Sequence, residues 1–395
     1  MSACHKQNPV QPAGSVARCS LHQFCRVTAL CVCVLLSTVR VECQESAVTP
    51  EARRIHHSGL LFDGHNDLPW QMRNIGESSF DVLDIAQPQP ELHTDIPRLR
   101  AGGVKAQFWS VYVPAGTDLT GDALLQTLQQ IDIVHRMHRR YPDVFQLAST
   151  ADEIEQIVAD GRIAGMLGIE GGHSIRGSLP ILRRLYDQGC RYMTLTHSKS
   201  LDWADSATDD PKSDGLSPFG EEVIREMNRL GMLVDLSHVS PATMKHALRI
   251  TQAPVIFSHS SARTINEHPR NVPDDVLRLT AQNGGVVMIN FFSGFVVPTA
   301  QIRVDPKARG TLKTVIDHIE HVIRVAGIDH VGIGSDYDGV SRLPIGLEDV
   351  STYPRITQSL LDRGYDQKAI HGILGGNVMR VLRSNELVSR RLKQE

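Results

Sequence analysis

The chain has 395 residues, of which 41% are hydrophobic and 22% charged, and a formal net charge of −3. Such a balance belongs to a globular protein long enough to bury a sizeable core. It leaves no basic excess to displace counterions, which argues against a nucleic-acid partner.

In chain order, the first segment stands apart. It is polar up to about position 26 and carries Lys6, Arg18 and Arg26, and an apolar run then extends from Val27 to Val39. A run of that length suits the h-region of a signal peptide and is short for a membrane span. We expect residues 1–43 to be a leader cleaved after Cys43, with Val41 at the −3 position, although Arg40 and Glu42 make this site poor. The competing reading is an uncleaved signal anchor. Either places the protein in the secretory pathway, extracellular or at the cell surface, and leaves membrane association open.

Six of the seven cysteines lie in that segment, and only Cys190 lies beyond it. No internal disulfide framework is therefore expected, and Cys190 is either buried or free for an intermolecular bridge. There is no Asn-x-Ser/Thr sequon, so N-glycosylation is not predicted. Residues 386–395 read as a polar tail, without the hydrophobic stretch of a lipid-anchor signal.

Residues 51–385 read as a single domain in which short apolar runs alternate with longer amphipathic stretches, the βαβα pattern of a parallel sheet. The expected strands are Leu60 to Phe62, Ala106 to Val113, Ala164 to Ile169, Tyr192 to Thr196, Leu233 to Leu236, Val255 to Phe257, Gly285 to Ile289 and Val331 to Gly334. The helices between them are well punctuated. Ser217 is an N-cap with Pro218 at N1, followed by Val223, Ile224, Met227 and Leu230 on one face and a stop at Gly231. Ser240 and Pro241 open another helix in the same way, and Leu312 to Val325 repeats apolar residues at helical spacing before Gly327. Strand-helix units in this number point to an α/β fold, a (β/α)8 TIM-like barrel. A doubly wound open sheet is the alternative.

The strand ends carry the chemistry. They are His65 and Asp67 in Phe-Asp-Gly-His-Asn-Asp, Glu170 in Gly-Ile-Glu-Gly-Gly-His, His197 in Thr-Leu-Thr-His-Ser, His238 in Val-Asp-Leu-Ser-His, His259 in Ile-Phe-Ser-His-Ser and Asp336 in Gly-Ser-Asp-Tyr-Asp-Gly. In a barrel all of these face one mouth. Taken singly, each reads as a satisfied polar strand end; their recurrence points to a metal centre. The donors exceed what one Zn²⁺ takes with a position left open. Nitrogen and oxygen donors without thiolate fit zinc, manganese or cobalt, with zinc favoured by the secretory route. A pair of ions would share one bridging carboxylate, for which Glu170, on a glycine-flanked strand end, is the candidate.

These motifs, with Gly-Leu-Ser-Pro-Phe-Gly, Val-Ile-Phe-Ser-His-Ser-Ser-Ala and Arg-Asn-Val-Pro-Asp-Asp, resemble the membrane (renal) dipeptidases from about Ile55 to Leu382. The resemblance implies a zinc metallodipeptidase on an amidohydrolase-like barrel. One zinc would be held by His65, Asp67 and Glu170, the other by Glu170, His238 and His259. His197 would contact the substrate and its scissile carbonyl oxygen, Arg270 would bind the substrate's carboxylate, and Asp336 would shuttle the proton from the attacking water to the leaving amine. Asp338 is a rival for that shuttle, while Asp235, His173 and Trp203 are expected as supporting or pocket residues. The family's substrates include dipeptides, cysteinyl-glycine compounds, leukotriene D4 and some β-lactams.

The chain departs from the family's well-studied members in lacking their paired cysteines and glycolipid tail, so a homodimer here would not use the family's usual cysteine. Two other readings remain open at this point. One is a different amidohydrolase acting on cyclic amides or N-acyl amino acids; the other is a catalytically silent cell-surface receptor or adhesion protein.

Overall fold

The computed structural model describes residues 47–395; the expected leader, residues 1–43, lies outside the described residues. The described strands are β1 (Leu61–Asn66), β2 (Val104–Tyr112), β3 (Phe145–Leu147), β4 (Ile163–Glu170), β5 (Cys190–Thr194), β6 (Leu233–Asp235), β7 (Ile256–Phe257), β8 (Val286–Ile289) and β9 (Val331–Ile333). All the pairings between them are parallel, in the order β2-β1-β9-β8-β7-β6-β5-β4, and β2 pairs back onto β4 from Ala106↔Ala164 to Tyr112↔Glu170. That last ladder closes the sheet into an eight-stranded barrel and rules out the open-sheet alternative. The extra strand, β3, pairs only with the start of β4. Its three residues show no periodicity long enough to read from sequence.

The helices form where their caps predict. The Ser217 side chain accepts from Gly220 N and opens the helix Pro218–Leu230, which stops at Gly231 with φ +86°. Ser240 caps Pro241–Ile250 by accepting from Thr243 N, and Leu312–Ala326 opens with a capping box at Thr311. The stretch 386–395, expected as a polar tail, is instead largely the end of the helix Asn377–Leu392. Within it Ser389 is buried, and its hydroxyl donates to Arg229 O at 2.7 Å. Among the described residues no helix is long and apolar enough to cross a membrane.

Strand alternation builds two cores. On β2, Ala106 and Phe108 join an inner cluster with Phe62, Ala164, Met166, Tyr192 and Met288, whereas Trp109 and Val111 face the surrounding helices. The period of two carries this inward direction up each strand, from Phe108 to Ser110 and from Met166 to Glu170. The polar side chains at the carboxyl rim are thus aimed inward by the same alternation that packs the apolar floor.

Cys190 is fully buried on β5, and burial pushes its thiol up to about 12. It belongs to the core and is not available for an intermolecular bridge. Alkylation of the native protein at mildly alkaline pH, followed by peptide mapping, should leave the Cys190 peptide unlabelled until denaturant is added.

His318 is buried on Leu312–Ala326, accepting from Ala262 N at 2.9 Å through Nδ1 and facing Val296 O through Nε2. Burial lowers it from 6.5 to about 4. Because its folded value lies below its ordinary one, the neutral ring contributes stability in full above 6.5, and that contribution is lost as pH falls toward 4. Denaturant midpoints measured across this window should fall with pH, with a shallower slope in His318→Asn, whose amide does not titrate.

Candidate metal centre and substrate pocket

The ends of the barrel strands bring the predicted residues together. His65 lies inside β1, and Asp67 follows that strand directly; Glu170 is the last residue of β4. His197, His238, His259 and Asp336 stand two or three residues past β5, β6, β7 and β9.

Their spacing is tight. His65 Nε2 is 3.1 Å from Asp67 Oδ2, 3.5 Å from Glu170 Oε2 and 4.0 Å from Asp336 Oδ1. The other Glu170 oxygen, Oε1, faces His238 Nε2 at 3.0 Å, His259 Nε2 at 3.4 Å and His197 Nε2 at 3.8 Å. The two oxygens of one carboxylate are thereby divided between two sets of donors. Three overlapping groups lie close enough to hold an ion: His65, Glu170 and His259; Glu170, His197 and His238; and His65, Asp67 and Asp336.

The protein orients these groups from behind. Tyr192 OH meets His65 Nδ1 at 2.8 Å. Ser258 Oγ donates to Asp235 Oδ2 at 2.6 Å, so it receives the Nδ1 proton of His259 at 2.8 Å and leaves Nε2 as a lone pair toward the centre. Gly168 makes room for the Tyr192 ring, against which a β-carbon at that position would collide. Asp336 is held by Asn290, whose Nδ2 donates to Oδ2 at 2.8 Å. His238, Asp336 and Asp338 all have positive φ, at +69°, +67° and +65°. For residues other than glycine this costs on the order of 1 kcal/mol or more each.

The electrostatics demand a cation. His238 Nε2 and His259 Nε2 face each other at 2.9 Å, while burial first, then Arg270 for one and His65 for the other, holds both rings well below their ordinary values. If the His238 Nε2–H meets the His259 lone pair, His238 Nδ1 is left buried without a hydrogen-bond partner. Burial opposes the charge on Glu170, but His65 and the imidazoles of His238 and His259 beside it outweigh it and keep the carboxylate ionised. Burial, with Asp67 and Glu170 adding to it, pushes Asp336 up to about 8. His65 Nε2 and Asp67 Oδ1 are buried without a hydrogen-bond partner. Oxygen and nitrogen donors that repel or fail to satisfy one another fit a metal centre.

A pocket of about 440 Å³ opens over these residues, lined also by Trp70, Tyr112, Arg270, Phe292, Phe295 and Val340. Arg270 is buried, lies 5.3 Å over the Phe295 ring and donates to Ser260 Oγ at 3.4 Å and His259 O at 3.2 Å. Burial lowers its guanidinium to about 10, which leaves it charged at neutral pH. Asp338 reaches the same pocket but is tied to His93, accepting from His93 N at 2.7 Å. Asp235 supports the ligands from below. His173 and Trp203 line a separate pocket with Asp118 and Arg176 instead of the one over the metal ligands.

Sequence reasoning missed Tyr112 and Asn290, which end the two barrel strands with no predicted ligand. The strand-end rule that found the others reaches both once the search admits phenol and amide groups.

A closed parallel barrel with an imidazole-carboxylate cluster at its carboxyl rim defines a metal-dependent hydrolase. The family model for membrane dipeptidase, peptidase family M19, matches residues 49–395, and the chain belongs to that family. Dipeptidase verJ of Clonostachys rogersoniana is 46% identical over 345 residues, covering 85% of this chain and 86% of that protein. The crystal structure of dipeptidase AC, a metallopeptidase of family M19, is 26% identical with a TM-score of 0.74, covering 82% of this chain and 98% of its own. A Rhodobacter sphaeroides metallopeptidase, solved with a phosphinate mimic of the dipeptide L-Ala-D-Ala, shares the fold at 24% identity and TM-score 0.75, over 82% of this chain and 99% of that one. The protein is a metallodipeptidase.

Gly339 sits where a β-carbon would run into Asp67 Oδ2 and Asp336 Oδ1. Gly339→Ala should keep its circular dichroism and thermal transition while losing activity about 10-fold or more, the scale at which displaced supports act on a metal site. Parallel assays of rate and bound metal check this.

Proposed function

We propose that this enzyme hydrolyses the amide bond of free dipeptides with two zinc ions, one held by His65, Asp67 and Glu170 and the other by Glu170, His238 and His259. The observation that carries the substrate reading is Arg270. This guanidinium is buried, and among the described residues it has no carboxylate within ion-pair distance, yet it lines the same pocket as the metal ligands. A substrate that brings its own carboxylate next to the scissile amide supplies the missing partner, and a guanidinium fork suits it. The divided contacts of Glu170 support the bridging role.

When bound, the ions would polarise the scissile carbonyl and lower the pKa of water. The remaining work falls to the chain. Arg270 fixes the carboxyl end, and His197, at the edge of the cluster against Tyr112 and His238, donates toward the carbonyl oxygen. Asp336, anchored by Asn290 through Oδ2, takes the proton of the attacking water on Oδ1 and returns it to the leaving amine. Its high proton affinity suits that exchange, and the tether of Asp338 to His93 favours Asp336 over its neighbour. Trp70, Phe292, Phe295 and Val340 offer apolar walls to substrate side chains. Cysteinyl-glycine conjugates, leukotriene D4 and β-lactams place an amide near a carboxylate in the same way, and we include them in the substrate class.

We also propose that the enzyme enters the secretory pathway and acts outside the cell or at its surface, and that it forms a homodimer, which the burial of Cys190 would make noncovalent. Activity retained inside cells, or a monomer in sedimentation at working concentration, would overturn these two points.

Purified enzyme should hydrolyse cysteinyl-glycine, carry about two zinc ions per chain, lose activity to a chelator and regain it with zinc, and bind a phosphinate dipeptide mimic. Hydrolysis of an N-acyl amino acid alone would overturn the dipeptide reading. Asp336→Asn should lower kcat about 10²- to 10⁴-fold while metal content stays parental, and an unchanged rate would reassign the proton carrier.

A further inference from the structure

Asp63 is fully buried on β1 and does not line the pocket. A carboxylate in that position is costly unless every lone pair is met, and here four donors meet it. Oδ1 accepts from Ser335 N at 2.8 Å and from His65 N at 3.3 Å. Oδ2 accepts from Ser335 Oγ and from Tyr353 OH, both at 2.6 Å.

The same pattern recurs elsewhere on the barrel. Asp235 Oδ1 accepts from Ser258 N at 2.8 Å and Ser237 N at 3.1 Å, and its Oδ2 accepts from Ser258 Oγ at 2.6 Å and Thr194 Oγ1 at 2.5 Å. The register also matches. Asp63 pairs with Ile333 and Asp235 with Ile256, and each serine lies two residues past that ladder partner on the neighbouring strand. Each serine directly precedes a residue of the site, Asp336 or His259.

The clamp on β1 and β9 has a specific target. Ser335 Oγ donates to Asp63 and accepts from Tyr337 N at 3.3 Å, bracketing Asp336 at φ +67°. Asp336 N in turn donates to His65 O at 3.1 Å. A residue in the left-handed region persists only where its surroundings over-determine it, and these bonds do so.

We infer that Asp63 is a positioning residue which, through Ser335, holds Asp336 in the backbone conformation that its proton-carrying role requires. The inference rests on the reading of Asp336 given above. Asp63 does its work behind the site, as Asp235 does through Ser258 for His259.

The test compares Ser335→Ala and Tyr353→Phe with Asp336→Asn in the zinc-loaded enzyme. Ser335→Ala should lower kcat about 10- to 100-fold, the range for lost outer supports. KM should stay near parental, because Arg270 lies on another segment of the chain, and kcat is read per bound zinc, because His65 N also donates to Asp63. Tyr353→Phe removes only one hydroxyl from the same oxygen and should give a smaller loss of kcat with KM unchanged; it carries the test if Ser335→Ala does not fold. A lowered melting temperature with parental kcat per zinc-loaded molecule would mean that the clamp is merely structural, and the inference would fall. A parental rate in Asp336→Asn would overturn the proton-carrier reading instead. A large loss there beside parental rates in both other variants would overturn the clamp alone.

Discussion

The constraint on which the structure depends is the convergence of buried donors around Glu170. Its two oxygens serve opposite sides of the cluster, with His65 on one and His238, His259 and His197 on the other. Without a cation such an arrangement is frustrated: His65 Nε2, Asp67 Oδ1 and His238 Nδ1 are buried without hydrogen-bond partners, and carboxylates crowd together away from water. Burying charge of this kind is expensive, and the remainder of the barrel supplies the packing that enforces it.

That enforcement comes in layers. Strand alternation aims side chains inward, so the direction that buries Met166 also aims Glu170. Behind the ligands, neutral and anionic partners set ring orientation, Tyr192 for His65 and the Asp235–Ser258 pair for His259. Some of the backbone strain falls at the rim, where His238, Asp336 and Asp338 take positive φ. Strain of this type marks positions where geometry is retained at the expense of local stability. The pocket adds a second polarity, a buried guanidinium that lines the same space as the imidazole-carboxylate cluster.

Much of the architecture was legible because its signals are local. Short apolar runs ending in His, Glu or Asp marked the barrel strands and the residues that converge at the rim, and Ser-Pro and glycine punctuation marked the helices. The misses have physical causes. β3 is too short to show a period. The terminal residues 386–395 look like a solvated tail because a helix with one buried face is polar on its other sides. His173 and Trp203 stand close to motif residues in sequence, but the turn after Glu170 and the segment after His197 direct them into a neighbouring pocket. Asn290 and Tyr112 went unread because the strand-end pattern was one of His, Glu and Asp, although they sit at the same rim.

The sequence by itself determined which chemical groups this protein places at its strand ends, since identity and spacing along one strand are local properties. Only the tertiary structure decided that the sheet closes, β2 onto β4, and that residues as distant in the chain as Asp63 and Ser335 or His65 and Tyr192 meet. Those contacts depend on strand order and register around the barrel. Both are fixed by packing among strands far apart in the chain, which no local pattern of residues encodes.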